Sequence, residues 1–236
     1  VKTLAWVVGR GGLLGSHVEK ALGGREGWDV FSSAPFPWND AARLRVQIDE
    51  TIARFQGDAA RHGKGAIFWC AGSGVVGASA AALAAETESF EYFLSRLRGP
   101  EVGRFFLASS AGGIWAGSSD RPITEDSPPR PISLYGVAQL DKEATLGRWA
   151  ARHSETRTLV GRLSNLYGPG QDASKPQGLV SHLTRSLLRG QPAHVFVPLD
   201  TIRDYLYAGD ASEAVVRTMA RLGEAPLHTM KIFASE

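Results

Sequence analysis

Gly9-Arg10-Gly11-Gly12-Leu13-Leu14-Gly15 follows an apolar run at residues 4–8 and opens a helical stretch that ends at Leu22. Glycines in that position let a backbone approach a pyrophosphate, and the unpaired N–H groups of a helix start meet its oxygens. The spacing is G-x-x-G-x-x-G rather than the strict G-x-G-x-x-G, so a plain glycine-rich turn is the competing reading. Its place at the very start of an alternating strand and helix pattern favours the diphosphate cradle.

Stepping outward from the turn, short apolar runs predict strands at 4–8, 28–32, 65–70, 104–109, 158–163 and 231–234. Amphipathic stretches predict helices at 13–22, 41–56, 79–97, 133–153 and 211–222. Strands that alternate with helices imply a parallel sheet covered on both faces, an α/β doubly wound fold. Residues 112–130 and 166–200 read as long loops rich in Gly, Pro and Ser, set over the carboxyl edge of the sheet where such folds bind ligands. The whole chain, 1–236, reads as one domain, with 166–200 as an insertion on the substrate side.

The 236 residues are 43% apolar and 21% charged, with a formal net charge of +2. That composition supports a packed core and gives no basic surface for nucleic acid. Cys70 is the single cysteine, so no internal disulfide forms, which suits a reducing cytoplasm. No apolar run reaches the ~20 residues of a membrane helix, and no signal peptide is visible. The histidines, His17, His62, His153, His182, His194 and His228, are scattered without metal-ligand spacing. No G-x-x-x-x-G-K-[ST] loop and no G-x-S-x-G elbow occurs.

Gly72-Ser73-Gly74-Val75-Val76-Gly77 matches G-x-G-x-x-G after the third strand. The next strand ends Leu107-Ala108-Ser109-Ser110 without the acid that a second dinucleotide unit would want. Ala71 and Gly72 are therefore expected beside a cofactor, under the first glycine turn.

Further along come Ser109-Ser110, then Pro131-Ile132-Ser133-Leu134-Tyr135-Gly136-Val137-Ala138-Gln139, Arg162-Leu163-Ser164-Asn165 and Arg203-Asp204-Tyr205. With the glycine turn, in this order, the chain resembles the extended short-chain dehydrogenase/reductase family, the NAD(P)-dependent sugar-nucleotide epimerases and dehydratases, from residue 4 to about 235. The resemblance implies a Rossmann-type domain with a small sugar-nucleotide-binding part. That part looks truncated here, since relatives continue beyond the strand at 231–234. It implies that Gly9, Gly12 and Gly15 hold the dinucleotide pyrophosphate. It also implies that a Ser, matched by Ser110, contacts the substrate and that a Tyr, matched by Tyr135, exchanges a proton with a sugar hydroxyl while hydride passes between that carbon and nicotinamide. On the substrate side it assigns Asn165 to the sugar nucleotide, Lys175-Pro176-Gln177-Gly178 with Ser181-His182 to the stretch beside its phosphates, and Arg203 to its diphosphate. A planar guanidinium suits the last role. The bland alternatives are a loop-capping Asn165 and an Arg203 paired with Asp204 or Asp210. A homodimer through the Tyr-bearing helix is also implied, with Leu134, Val137, Ala138, Leu140, Ala144 and Leu146 as an apolar face that could equally meet the sheet.

The chain departs from the family where a lysine four residues after the Tyr should hold the nicotinamide ribose and lower the Tyr pKa. Position 139 is Gln. At ~4 Å and an effective dielectric of ~20 a unit charge is worth roughly 4 kcal/mol, up to about 3 pKa units for a phenol. Gln139 brings hydrogen bonds but no charge. Lys142 lies two helical turns from Tyr135, about 10 Å along the axis, and reads as a solvated helix charge. Ser110 is well placed by its distance from Tyr135, but counting back from Ile114-Trp115 puts the serine slot on Ala111, and a strand-end serine bonded to backbone is the alternative. At the end of the second strand Ser33 stands where an NAD-selecting acid is expected, and Arg10 could meet a 2′-phosphate, so NADP is slightly favoured over NAD. Asn39-Asp40 reads as a helix N-cap. Two functions follow: an NAD(P)-dependent enzyme acting on a nucleotide sugar, or a catalytically impaired dinucleotide-binding sensor or scaffold of the same fold.

Overall fold

The strands of this chain are apolar almost without alternation, because both of their faces are covered. The computed structural model describes residues 2–72, 77–98, 100–119, 122–172, 178–193, 195, 198, 200–224 and 227–235. Its main sheet contains β1 (Thr3–Val8), β2 (Trp28–Val30), β3 (Gly65–Trp69), β4 (Val102–Ser110), β5 (Arg157–Leu163) and β8 (His228–Phe233). The order is β2-β1-β3-β4-β5-β8, and every pairing is parallel. This is the Rossmann-type doubly wound sheet. The order reverses between β1 and β3, which puts a crevice at the carboxyl ends of those two strands.

Helices α1 (Leu13–Leu22) and α7 (Ala208–Arg221) cover one face. Helices α2 (Ala41–His62), α3 (Ala80–Arg96) and α5 (Leu134–Ala150) cover the other. On that second face Trp6 packs against the rings of Phe31, Phe36, Phe55 and Phe93. The four-residue helix α4 (Ala111–Ile114) follows β4 directly. A second, two-stranded parallel sheet pairs β6 (Asn165–Tyr167) with β7 (Tyr205–Tyr207), and α6 (Leu179–Leu188) lies between them in sequence. A single 3₁₀ turn, Leu222–Glu224, ends α7.

Several boundaries differ from the sequence reading. Helix α2 runs on past residue 56 to His62, because Phe55 and Ala59 continue its buried stripe and the helix ends only at Gly63, whose φ is +85°. Strand β2 stops at Val30 and β8 begins at His228. The span 166–200, expected as loop, contains most of β6 and all of α6. The apolar positions of α5 divide: Leu146 is buried, whereas Leu134 and Val137 are 60% and 45% exposed. Among the described residues no helix is long and apolar enough to cross a membrane, and no group of His, Cys, Asp and Glu could hold a metal.

Candidate active site

The glycine turn is shaped by contacts that admit no side chain. Gly9 has φ +88°, and a Cβ there would stand 2.6 Å from the backbone of Ala71 at the end of β3. A Cβ on Gly15 would stand 2.2 Å from the Gly9 carbonyl oxygen. The Gly12 N–H donates to that same oxygen at 3.0 Å, closing the turn. Gly12 is the N-cap of α1 and supplies no side-chain acceptor, so the first N–H groups of the helix, from Leu13 and Leu14, have no side-chain cap. Nothing lies within 4 Å of a Cβ built on Gly11. An open helix start, bare glycine and a close-packed floor at the strand-order reversal fit a diphosphate.

Ser33 and Arg10 are both engaged. The Trp6 Nε1–H donates to Ser33 Oγ at 3.2 Å, and Arg10 Nη1 lies 3.3 Å from Glu19 Oε1 in a half-exposed ion pair. Asp40 caps α2, accepting from the Arg43 N–H, as expected. Of the second glycine run, residues 73–76 lie outside the described residues. Gly72 is described, and a Cβ on it would lie 3.6 Å from Glu86 Oε2 of α3.

Tyr135 sits in the first turn of α5, which Ser133 caps by accepting from the Gly136 N–H at 3.2 Å. Its ring lies over Gly113 of α4, where a Cβ would meet the ring at 2.9 Å. A Cβ on Gly136 would stand 2.2 Å from the Gly113 carbonyl oxygen, so two glycines set how closely α4 and α5 approach. Ser110 caps α4, its Oγ accepting from the Gly113 N–H at 3.0 Å. It also meets the phenol, so the backbone-bonded Ser110 stands beside Tyr135. Burial pushes the Tyr135 phenol above its ordinary value. Hydrogen bonds from Ser110 and Gln139 pull the other way, and the Glu86 carboxylate adds to the rise.

Lys142 corrects the sequence reading. It is 3% exposed rather than solvated, and its Nζ lies 3.7 Å from Glu86 Oε2. It is buried because Gly136, Gln139, Lys142 and Leu146 share the inward stripe of α5. Burial holds the ammonium below the usual lysine value, against the pull of Glu86. One residue on, Glu143 receives a bidentate pair from Arg162 Nε and Nη2 at 3.0 and 2.7 Å and a Ser109 Oγ–H at 2.5 Å. The Arg162 guanidinium also lies 4.5 Å from the Trp115 ring centroid. This network fastens α5 to β4 and β5 behind Tyr135. Sequence reasoning missed Glu86, although its spacing from Leu83 and Phe90 places it on the buried stripe of α3.

The substrate-side residues form separate groups. Asn165 Nδ2–H donates to the Asp204 carbonyl at 2.8 Å, the loop-capping role. Arg203 is exposed, and its guanidinium donates to the carbonyl of Ile202 at 2.9 Å. Among the described residues it forms no ion pair with Asp204 or Asp210. Asp204 instead accepts from the N–H and Oγ–H of Ser235. Ser181 Oγ–H donates to Gln171 Oε1, and His182 Nε2 is buried without a partner among the described residues. Both stand on α6, beside a groove of about 500 Å³ whose lining includes Tyr167, Pro169, Ser181 and Tyr207. The expected Lys175-Pro176-Gln177 lies outside the described residues, as does His194.

A doubly wound sheet with an open glycine turn and a half-buried tyrosine on the same edge is the arrangement of a dinucleotide-binding class of fold. The chain belongs to the NAD dependent epimerase/dehydratase family, whose model matches residues 5–230. It is 26% identical over 121 residues to a putative UDP-glucose 4-epimerase of Methanocaldococcus jannaschii, covering 51% of this chain and 39% of that protein. It is 30% identical over 108 residues to dTDP-4-dehydro-6-deoxyglucose reductase of Escherichia coli, covering 46% of this chain and 34% of that protein. The matched segments thus span less than half the length of these relatives. The fold superposes on UDP-glucose 4-epimerase of Thermus thermophilus in complex with NAD, with a TM-score of 0.74 at 20% identity, covering 100% of this chain and 78% of that one.

Proposed function

We propose that the chain is an NAD(P)-dependent enzyme acting on a nucleotide sugar, as an epimerase, dehydratase or reductase, with Tyr135 as proton donor and acceptor. One observation carries the reading. Gly9 packs on Ala71 just after β3, Tyr135 faces Ser110 at the end of β4, and β3 and β4 are neighbours in the parallel sheet, which supports a site shared by turn and phenol at that edge. A dinucleotide bound there would give or take the hydride. Tyr135 passes a proton to or from the sugar oxygen, Ser110 holds that oxygen, and Gln139 orients the phenol. Asn165 would contact the sugar nucleotide, Arg203 its diphosphate, and Ser181 and His182 would stand beside the phosphates. Ser33 in place of an acid keeps NADP slightly ahead of NAD. The Arg10–Glu19 pair is exposed enough to exchange for a 2′-phosphate. The reading carries with it a homodimer and a cytoplasmic location.

Gln139 favours a second reading, a dinucleotide-binding sensor or scaffold, since it leaves the phenol without a cation. The experiment adds NAD or NADP, oxidised and reduced, with a panel of UDP- and dTDP-sugars and their 4-keto forms, and follows the reduced-nicotinamide absorbance and the sugar products. Turnover lost in Tyr135→Phe supports the enzyme. Tight dinucleotide binding without turnover supports the sensor, and no dinucleotide binding overturns both.

A further inference from the structure

We propose that Glu143 is a positioning residue: its carboxylate fixes where Tyr135 on α5 stands relative to Ser110 at the end of β4. The inference rests on the reading of Tyr135 as the group that moves the proton. Tyr135 and Ser110 meet, yet they come from separate elements, so their contact lasts only while α4, α5 and β4 keep their places. Gly113 and Gly136 permit α4 and α5 to approach, because a Cβ on either would collide. Permitting an approach does not hold it. Glu143 supplies the hold.

Glu143 stands just over two helical turns after Tyr135, about 12 Å along the axis of α5. Its Oε1 accepts the Ser109 Oγ–H at 2.5 Å and the Arg162 Nε–H at 3.0 Å, and its Oε2 accepts from Arg162 Nη2 at 2.7 Å. Ser109 and Arg162 are opposite each other in the β4–β5 register, and Ser109 immediately precedes Ser110. The Arg162 guanidinium in turn lies 4.5 Å from the ring centroid of Trp115, which ends α4. One carboxylate thus ties the Tyr-bearing helix to β4, to β5 and to the short helix that Ser110 caps.

The chemistry of the tie separates positioning from bulk stability. Side-chain exposures are 8% for Arg162 and 11% for Glu143. So dry an ion pair costs desolvation, and well-packed apolar residues of like volume hold a fold about as well. They hold it without direction, whereas a forked guanidinium on a carboxylate sets angle as well as distance. Proton transfer demands that fixity, since a misplacement of about 1 Å can cost about a hundredfold in rate.

The test compares the wild type with two variants. Ser109→Ala/Glu143→Leu/Arg162→Met replaces the tie by apolar packing and leaves none of its polar groups unpaired. Ser109→Ala cuts only the β4 arm. NAD binding is measured by calorimetry, and turnover is followed on whichever UDP- or dTDP-sugar the wild type converts. The triple variant is expected to keep its NAD affinity and its KM within about threefold and to lose about a hundredfold in kcat. Ser109→Ala is expected to lose about tenfold, again in kcat alone. A triple variant with the wild-type kcat overturns the inference and leaves the proposed function standing. If the triple variant fails to fold, or loses NAD affinity and KM along with kcat, Ser109→Ala decides. A loss confined to its kcat sustains the inference, and any other result, an unchanged kcat included, overturns it. A wild type that converts none of the sugars overturns the proposed function and this inference together.

Discussion

Gly15 lies so close to Gly9 that a single added carbon would stand 2.2 Å from the Gly9 carbonyl oxygen. The start of α1 and the end of β1 are therefore locked at a distance that only hydrogen side chains permit. Gly15→Ala is expected to cost about 1–3 kcal/mol, as overpacking does, and to weaken dinucleotide binding by at least about tenfold. Gly11→Ala meets nothing within 4 Å and keeps φ out of the left-handed region, so its melting temperature is expected to stay near the wild-type value. Thermal melts and dinucleotide titrations of the two variants check the contrast.

Of the Glu86–Lys142 pair the lysine is deeply buried and the carboxylate mostly so, with side-chain exposures of 4% and 19%. Removing one partner takes a counter-charge from the other. Lys142→Met is expected to lose roughly 3–5 kcal/mol of stability, the cost of breaking a buried pair, while Glu86→Gln/Lys142→Met recovers most of it. Denaturant unfolding of the single and double variants reads the difference. Equal losses in both would show that Lys142 contributes through packing alone.

Tyr135 is neutral through the neutral range, since burial and Glu86 both raise its pKa above the ordinary phenol value. Any step that uses it as a base therefore speeds up as pH rises toward and beyond 10. Gln139→Lys supplies a cation one turn away and is expected to move that rising limb downward by as much as about 3 units. The pH dependence of sugar oxidation measures it. A limb that does not move removes the electrostatic account of position 139.

Leu134 and Val137 expose 60% and 45% of their surface on the outward side of α5. If this face pairs two copies of the chain, Leu134→Glu/Val137→Glu converts a dimer into a monomer without unfolding it. Light scattering after size exclusion reads the mass. A wild type that is already monomeric disposes of the dimer.

Much of the frame was legible because parallel, doubly covered strands such as β1, β3 and β5 are nearly continuous apolar runs. Strands β6 and β7 were not legible, being three residues each and stabilised by partners distant in sequence. Helix α6 was hidden behind Gly168-Pro169-Gly170 and the glycine at 178, which read as loop. Within the site, glycines, Ser110, Tyr135 and Gln139 announce themselves by type and spacing. Glu86 and Lys142 do not, since a charged helix residue is solvated by default. Their signal was positional: each falls on the apolar stripe of its helix, and two opposite charges so placed on packed helices neutralise each other.

His17 Nε2 lies 3.0 Å from the carbonyl oxygen of Pro169, and its ring meets the edge of Tyr207. Helix α1 thus begins at the cradle and is moored partway along to the rim of the groove between β6, β7 and α6. A ligand that gripped its first turn would therefore steady that rim as well, one short strut serving both.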